Sequence, residues 1–146
     1  MTILHHIHFD IPRIYEFCRY DTTCLHFANI FKGNKPIGNW LPNSTHKHAE
    51  HNALRMLKTQ KYRKNHHLTL VVLRFDRSFE NLRISKPCTR CIELLKNNGI
   101  KTIVYSDNNG NLIKEDISQI LHRPSSMSSN IPIHGRVISY SKFKEQ

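Results

Sequence analysis

The 146-residue sequence has no apolar run near the roughly 20 residues that a membrane-spanning helix needs. Its opening, MTILHHIHFD, lacks the apolar block of a secretory signal. These absences set the expectation of a soluble intracellular protein, cytoplasmic or nuclear, with no membrane partner. Acidic residues are few: 11 Asp and Glu stand against 22 Lys and Arg, a net charge of +11 before any of the 11 histidines protonates. A surface of that sign draws polyanions, which favours nucleotide or nucleic-acid partners. Only four cysteines occur, and two of them form the tight unit Cys88-Thr89-Arg90-Cys91. That spacing points to metal or redox chemistry rather than to a disulfide scaffold. There is no internal repeat and no heptad.

The size fits one domain, placed at residues 1–122, followed by a Ser-rich, basic tail at 123–146 that begins Arg123-Pro124-Ser125-Ser126 and reads as loop. Ile11, Ile14, Tyr15 and Cys18 share a helical spacing, with Pro12 suited to a helix start. Residues 25–31 are rich in strand formers and lead into the turn chemistry of Gly33-Asn34-Lys35-Pro36-Ile37-Gly38. Ser44 or Thr45 can cap a helix running to about Lys58, with Ala49, Ala53, Met56 and Leu57 on one face. Leu68 to Phe75 is almost continuously aliphatic, as a central strand covered on both faces would be. Pro87 suits a helix start, and Cys88, Cys91, Ile92 and Leu95 then repeat at helical spacing until Asn97-Asn98-Gly99 ends the run. A second buried strand, Ile100 to Ser106, precedes the turn signal Asp107 to Asn111. So short a connection forces Leu112 to Glu115 to return antiparallel. Helices interleaved with hydrophobic strands predict an α/β layered sandwich on a mixed sheet.

Two motifs carry chemistry: His48-Ala49-Glu50 and Pro87-Cys88-Thr89-Arg90-Cys91, each near the start of a predicted helix. Residues three apart in a helix share a face, so both cysteine sulfurs can reach one ion while His48 adds a nitrogen from the neighbouring helix. Three protein ligands leave a tetrahedral zinc with one open position, which marks catalytic rather than structural sites. Glu50 lies roughly 200° round a regular helix from His48, badly placed to ligate the same ion but able to shuttle a proton beside it. Helix N-termini also favour anions such as thiolates.

Other features have plainer readings. Cys18, Cys24 and His26 imitate a metal set, yet free cysteines usually pack as small hydrophobes. His5, His6 and His8 read as solvated chain. Trp40, Phe31 and Tyr105 are stacking candidates for a base, with core packing the competing reading for Phe31 and Tyr105. The basic run from Lys58 to His67 starts about 15 Å from the metal end of its helix and complements the negative helix terminus.

His-x-Glu followed by Pro-Cys-x-x-Cys resembles the signature of the zinc-dependent cytidine deaminase superfamily, over residues 25 to 115. The resemblance implies a three-layer α/β/α sandwich with a mixed five-stranded sheet whose last two strands are antiparallel. It implies one zinc per chain held by His48, Cys88 and Cys91, with attack of activated water on C4 of cytosine (C6 of adenine) and Glu50 moving the protons. Ala49, Pro87 and Tyr105 would face the substrate. Asn34-Lys35-Pro36-Ile37-Gly38 resembles the loop of the tRNA adenosine deaminase branch whose asparagine contacts the base, which nominates Asn34, with Asn39 or Asn43 as alternatives. The Asp107 to Asn111 hairpin instead resembles the branch of free cytidine deaminases and certain nucleic-acid-editing and toxin deaminases, which ranks cytosine above adenine. The expected substrate is a cytosine nucleoside, nucleotide or single-stranded DNA or RNA, and a homo-oligomer is the expected assembly. The alternatives are an editing deaminase acting on duplex or on adenine, and a non-catalytic, zinc-stabilised nucleic-acid-binding module.

Overall fold

The computed structural model describes residues 2–18, 26–44, 48–59, 67–76, 81–121 and 135–139. In chain order the elements are α1 (Ile3–Cys18), β1 (His26–Lys32), β2 (Lys35–Pro36), β3 (Leu41–Pro42), α2 (Ala49–Lys58), β4 (Leu68–Phe75), β5 (Leu82–Arg83), α3 (Thr89–Asn97), β6 (Ile100–Ser106), β7 (Leu112–Asp116), α4 (Ile117–Leu121) and β8 (Arg136–Ser139). The architecture is α/β on one mixed sheet of order β2-β1-β4-β6-β7-β8, with β3 also paired to β1 and β5 to β4. The aliphatic run at 68–75 is its centre. β4 lies antiparallel to β1 and parallel to β6, and every residue of it except Arg74 is buried.

Side chains alternate across a strand, and β4 accordingly feeds two cores. Leu68, Leu70 and Val72 pack with Ala53, Leu54 and Leu57 of α2, Ile92 and Leu95 of α3, and Ile117 and Ile120 of α4. Val71, Leu73 and Phe75 pack with Ile7 and Ile14 of α1. Each such aliphatic side chain contributes about 1.5–3 kcal/mol when fully buried.

The register decides where the helices begin. β4 and β6 run parallel, so their carboxyl ends share one end of the sheet, and antiparallel β1 brings His26 there opposite Arg74. Ser85, ahead of α3, donates its hydroxyl to the Val72 carbonyl at 2.8 Å and its N–H to the Ser106 carbonyl at 2.9 Å. Asn43, ahead of α2, donates its N–H to the His26 carbonyl at 3.0 Å and accepts the His26 N–H through Oδ1 at 3.1 Å. Both helix entries are therefore pinned to the same end of the sheet. Asn98 caps α3 and Gly99 follows at φ +88°, a left-handed turn that a side chain would strain. Asp107 Oδ1 accepts the N–H groups of Asn109 and Asn111 at 2.8 and 2.9 Å, closing the hairpin that sets β7 antiparallel to β6.

Several expectations need correction. Helix α1 begins at Ile3 rather than near Ile11, and Pro12 sits inside it, where it cannot donate to the His8 carbonyl. Thr2 and His5 close its start reciprocally: the Thr2 hydroxyl accepts the His5 N–H at 3.2 Å, and His5 Nδ1 accepts the Thr2 N–H at 3.3 Å. His6 packs its ring against Phe31. Helix α2 starts at Ala49, so Ser44 does not cap it, and Thr45 lies outside the described residues. Among the described residues the sheet comprises five longer strands, β1, β4, β6, β7 and β8, and three two-residue strands that join β1 and β4; the fifth longer strand, β8, comes from the tail expected to be loop and lies antiparallel to β7. Among the described residues no helix is long and apolar enough to cross a membrane.

Candidate metal centre

His48 and Cys88 occupy equivalent places. Each is the N-cap residue of its helix in extended conformation, φ −69° and ψ 156° for His48 and φ −67° and ψ 164° for Cys88, and neither side chain caps its helix. Both side chains thus leave the helix start free for another partner. Cys91 stands one turn into α3 and is buried, while Cys88 is exposed. The two sulfurs are 3.4 Å apart, and His48 Nδ1 is 3.4 Å from Cys91 Sγ. His48, Cys88 and Cys91 each place a donor atom within 4.8 Å of the others, the one such group among the described residues. Zinc bonds of about 2.3 Å to sulfur and 2.0–2.1 Å to nitrogen give tetrahedral edges of roughly 3.8 Å between sulfurs and roughly 3.5 Å between sulfur and nitrogen, within a few tenths of an ångström of the observed 3.4 Å separations. The donor set therefore fits zinc in identity and spacing, and these three residues can hold a metal ion.

The surroundings adjust the titrating groups. The Cys91 thiol is pushed up to about 12, first by burial and then by its contact with Cys88 and the charge of Glu50, with Arg90 opposing. Without a cation this sulfur keeps its proton, so metal binding must release it. Glu50 is only 5% exposed. Burial raises its carboxyl above the ordinary range, against the opposing pull of its own backbone N–H, His48 and His51. A buried carboxyl with a raised pKa beside a donor cluster has the character of a proton-transfer group. It lies outside the ligand group, in accord with its spacing from His48.

The other nominated residues are distributed differently. Ala49 and Pro87 are buried immediately beside His48 and Cys88. Tyr105 is 0% exposed in the core shared with α2 and α3, and its hydroxyl donates to Glu115 Oε2 at 2.7 Å. That makes it a core residue. Asn34 is exposed at the β1–β2 turn, where Gly33 donates to the His67 carbonyl at the start of β4. Six residues of β1 separate that turn from His26, roughly 20 Å of strand, so the fold does not bring Asn34 to the cluster. Asn43, half-buried beside His26, lies at the metal end, and Asn39 is exposed. Phe31 is fully buried, and Trp40 is half-buried with its indole N–H donating to Asp10 at 2.8 Å. Trp40 and Asp10 line a cavity of about 480 Å³ between α1 and residues 36–42, which none of the metal donors lines. Cys24, the side chain of Cys18 and residues 60–66 of the basic run lie outside the described residues.

Two partners were missed in the sequence. Lys86 Nζ lies 3.2 Å from the buried Glu115 carboxylate, tying the segment ahead of Cys88 to β7. His51 approaches Cys91 Sγ through Nε2 at 3.8 Å and stacks on His48, with ring centroids 5.8 Å apart and 15° between planes. The i, i+3 spacing of His48 and His51 was the available signal for the second.

His26, at the same end, supplies a pH prediction. Burial, then Arg74, then His48, bring its imidazole from 6.5 down to about 4. The unfolded chain binds a proton between those values that the folded chain refuses, so stability falls as pH drops through that window. Thermal melts in chelator should show His26→Gln losing less stability than wild type between pH 6.5 and 4. Parallel curves would refute the assignment.

No protein-family model, curated protein or solved structure matches this chain.

Proposed function

We propose that this chain is a zinc-dependent hydrolytic deaminase that converts cytosine to uracil in a nucleotide or a single-stranded nucleic acid, or in a nucleoside. The observation that carries the reading is the convergence of His48, Cys88 and Cys91 at two helix starts, with Glu50 buried two residues from His48. The packing of α1 against one set of sheet side chains and of α2, α3 and α4 against the other supports the three-layer sandwich of that superfamily. Zinc, when bound, supplies Lewis acidity that lets a water lose its proton near neutral pH. His48, Cys88 and Cys91 would hold it, and a set of three protein ligands would leave room for that water. Glu50 would take one proton from the attacking water and place it on the ring nitrogen, then take the second from the oxygen newly bonded to C4 and give it to the amine, which leaves as ammonia as the carbonyl forms; its carboxyl must therefore exist in both protonation states. The short antiparallel hairpin at 107–111 supports cytosine over adenine, as does the distance of Asn34 from the cluster.

The net charge of +11 favours phosphate-bearing substrates over free cytidine, which carries no phosphate. It also favours both alternatives, an editing deaminase acting on duplex or on adenine and a zinc-stabilised nucleic-acid-binding module without turnover. A panel of cytidine, deoxycytidine, deoxycytidylate, and single-stranded and duplex DNA and RNA, read for amine loss by mass spectrometry at two salt concentrations, separates these. The expected result is loss of the cytosine amine, with polymer turnover falling steeply as salt rises. Salt-sensitive binding with no amine loss from any member would establish the module and overturn the enzyme.

A further inference from the structure

We infer that His51 is a positioning residue of the metal centre, its Nε2–H donating a hydrogen bond to the Cys91 sulfur without joining the ligand set. The inference rests on the reading of His48, Cys88 and Cys91 as metal ligands. His51 follows His48 by one turn of α2, and its backbone N–H donates to the His48 carbonyl at 3.1 Å. Its ring lies nearly parallel to that of His48, which fixes its direction, and Nε2 comes 3.8 Å from Cys91 Sγ, within N–H···S reach. It stands outside the group of donors that lie within 4.8 Å of one another, so the contact is to a ligand rather than to the ion's position.

Cys91 is the buried sulfur of the pair, and its Sγ lies 3.4 Å from Cys88 Sγ, 3.4 Å from His48 Nδ1 and 3.8 Å from His51 Nε2. As a metal ligand it is a thiolate removed from water. A hydrogen bond to a charged acceptor is stronger than a neutral one and draws electron density from it. An N–H aimed at this sulfur therefore holds its rotamer and reduces its donation to the ion, leaving the metal more acidic. Partners of this kind are commonly worth about 10–100-fold in metal affinity.

The test uses the full chain loaded with cobalt, comparing wild type, His51→Ala and His51→Gln, whose amide N–H can occupy the place of Nε2–H. The visible bands of tetrahedral cobalt report the ligand set, the near-ultraviolet sulfur-to-cobalt band reports charge on sulfur, and competition with a chelator reports zinc affinity. The expected result for His51→Ala is unchanged visible bands, a sulfur-to-cobalt band at longer wavelength and roughly 10–100-fold weaker zinc binding. His51→Gln should recover part of both changes. A sulfur band and an affinity equal to wild type in His51→Ala would overturn the inference while leaving the metal centre intact. Altered visible bands showing a lost nitrogen ligand would overturn it by making His51 a ligand. A wild-type chain that takes up no cobalt would overturn the metal centre together with this inference.

Discussion

Glu50→Gln is expected to reduce cytosine deamination by about 10²–10⁴-fold or more while zinc stays at one per chain. The amide keeps the shape and burial of the carboxyl but neither takes nor gives the proton, and Glu50 contributes nothing to the donor group of His48, Cys88 and Cys91. Metal analysis beside a turnover assay checks both halves, and a variant with normal turnover would remove Glu50 from the mechanism. The same substitution should act oppositely on stability once the metal is removed. Burial raises the Glu50 carboxyl in the folded chain, so above the ordinary carboxylate range the folded state holds a proton that the unfolded state has lost. Stability contributed by this group therefore falls as pH rises through that range toward the raised value. In chelator, Glu50→Gln should melt above wild type at neutral pH, and the gap should close on acidification. That outcome, in a residue proposed to carry the chemistry, would be the pattern expected of function maintained against stability.

Cys91→Ser is expected to abolish tight zinc binding and to lower the melting temperature to that of the chelator-treated wild type. A ligand that binds only the folded state at a thousandfold excess over its Kd stabilises it by about 4 kcal/mol, on the order of 10 °C for a chain of this size. Cys91 is buried between the α2 and α3 starts, so the serine variant tests metal and packing together. Cys88→Ser separates them, because Cys88 is exposed and its loss removes a ligand with little change in packing. Both variants should melt at the same temperature with and without chelator. A serine variant at either position that keeps wild-type zinc and stability would contradict the assignment.

What could be read from the amino acids depended on whether the signal was local. The largely aliphatic run of β4, the Asp107 to Asn111 turn and the two motifs at helix starts are decided within a few residues, and each took its expected place. Helix α1 was foreseen only in its second half, because its first half interleaves Ile3, Leu4 and Ile7 with histidines that read as solvated chain, and Pro12 reads as a start signal. β8 owes its existence to pairing with β7 across a connection of about twenty residues, a contact no neighbouring residues announce. Tyr105 illustrates the same limit. Its place near a strand end said nothing about which face it occupied, and its partner Glu115 lies on the next strand. Asn34 matched a motif in local sequence, yet the direction of β1 carried it to the far end of the sheet. The cluster of His48, Cys88 and Cys91 was legible because each motif begins a helix, and the sheet register then brought the two beginnings together.

Zinc-edge X-ray absorption on the purified full chain addresses the central claim most directly. The account predicts one ion per chain in a four-coordinate shell, with two sulfurs at about 2.3 Å and an imidazole nitrogen at about 2.0 Å, the remaining position a light atom. A shell without sulfur, or a metal-free preparation that still deaminates cytosine, would contradict it.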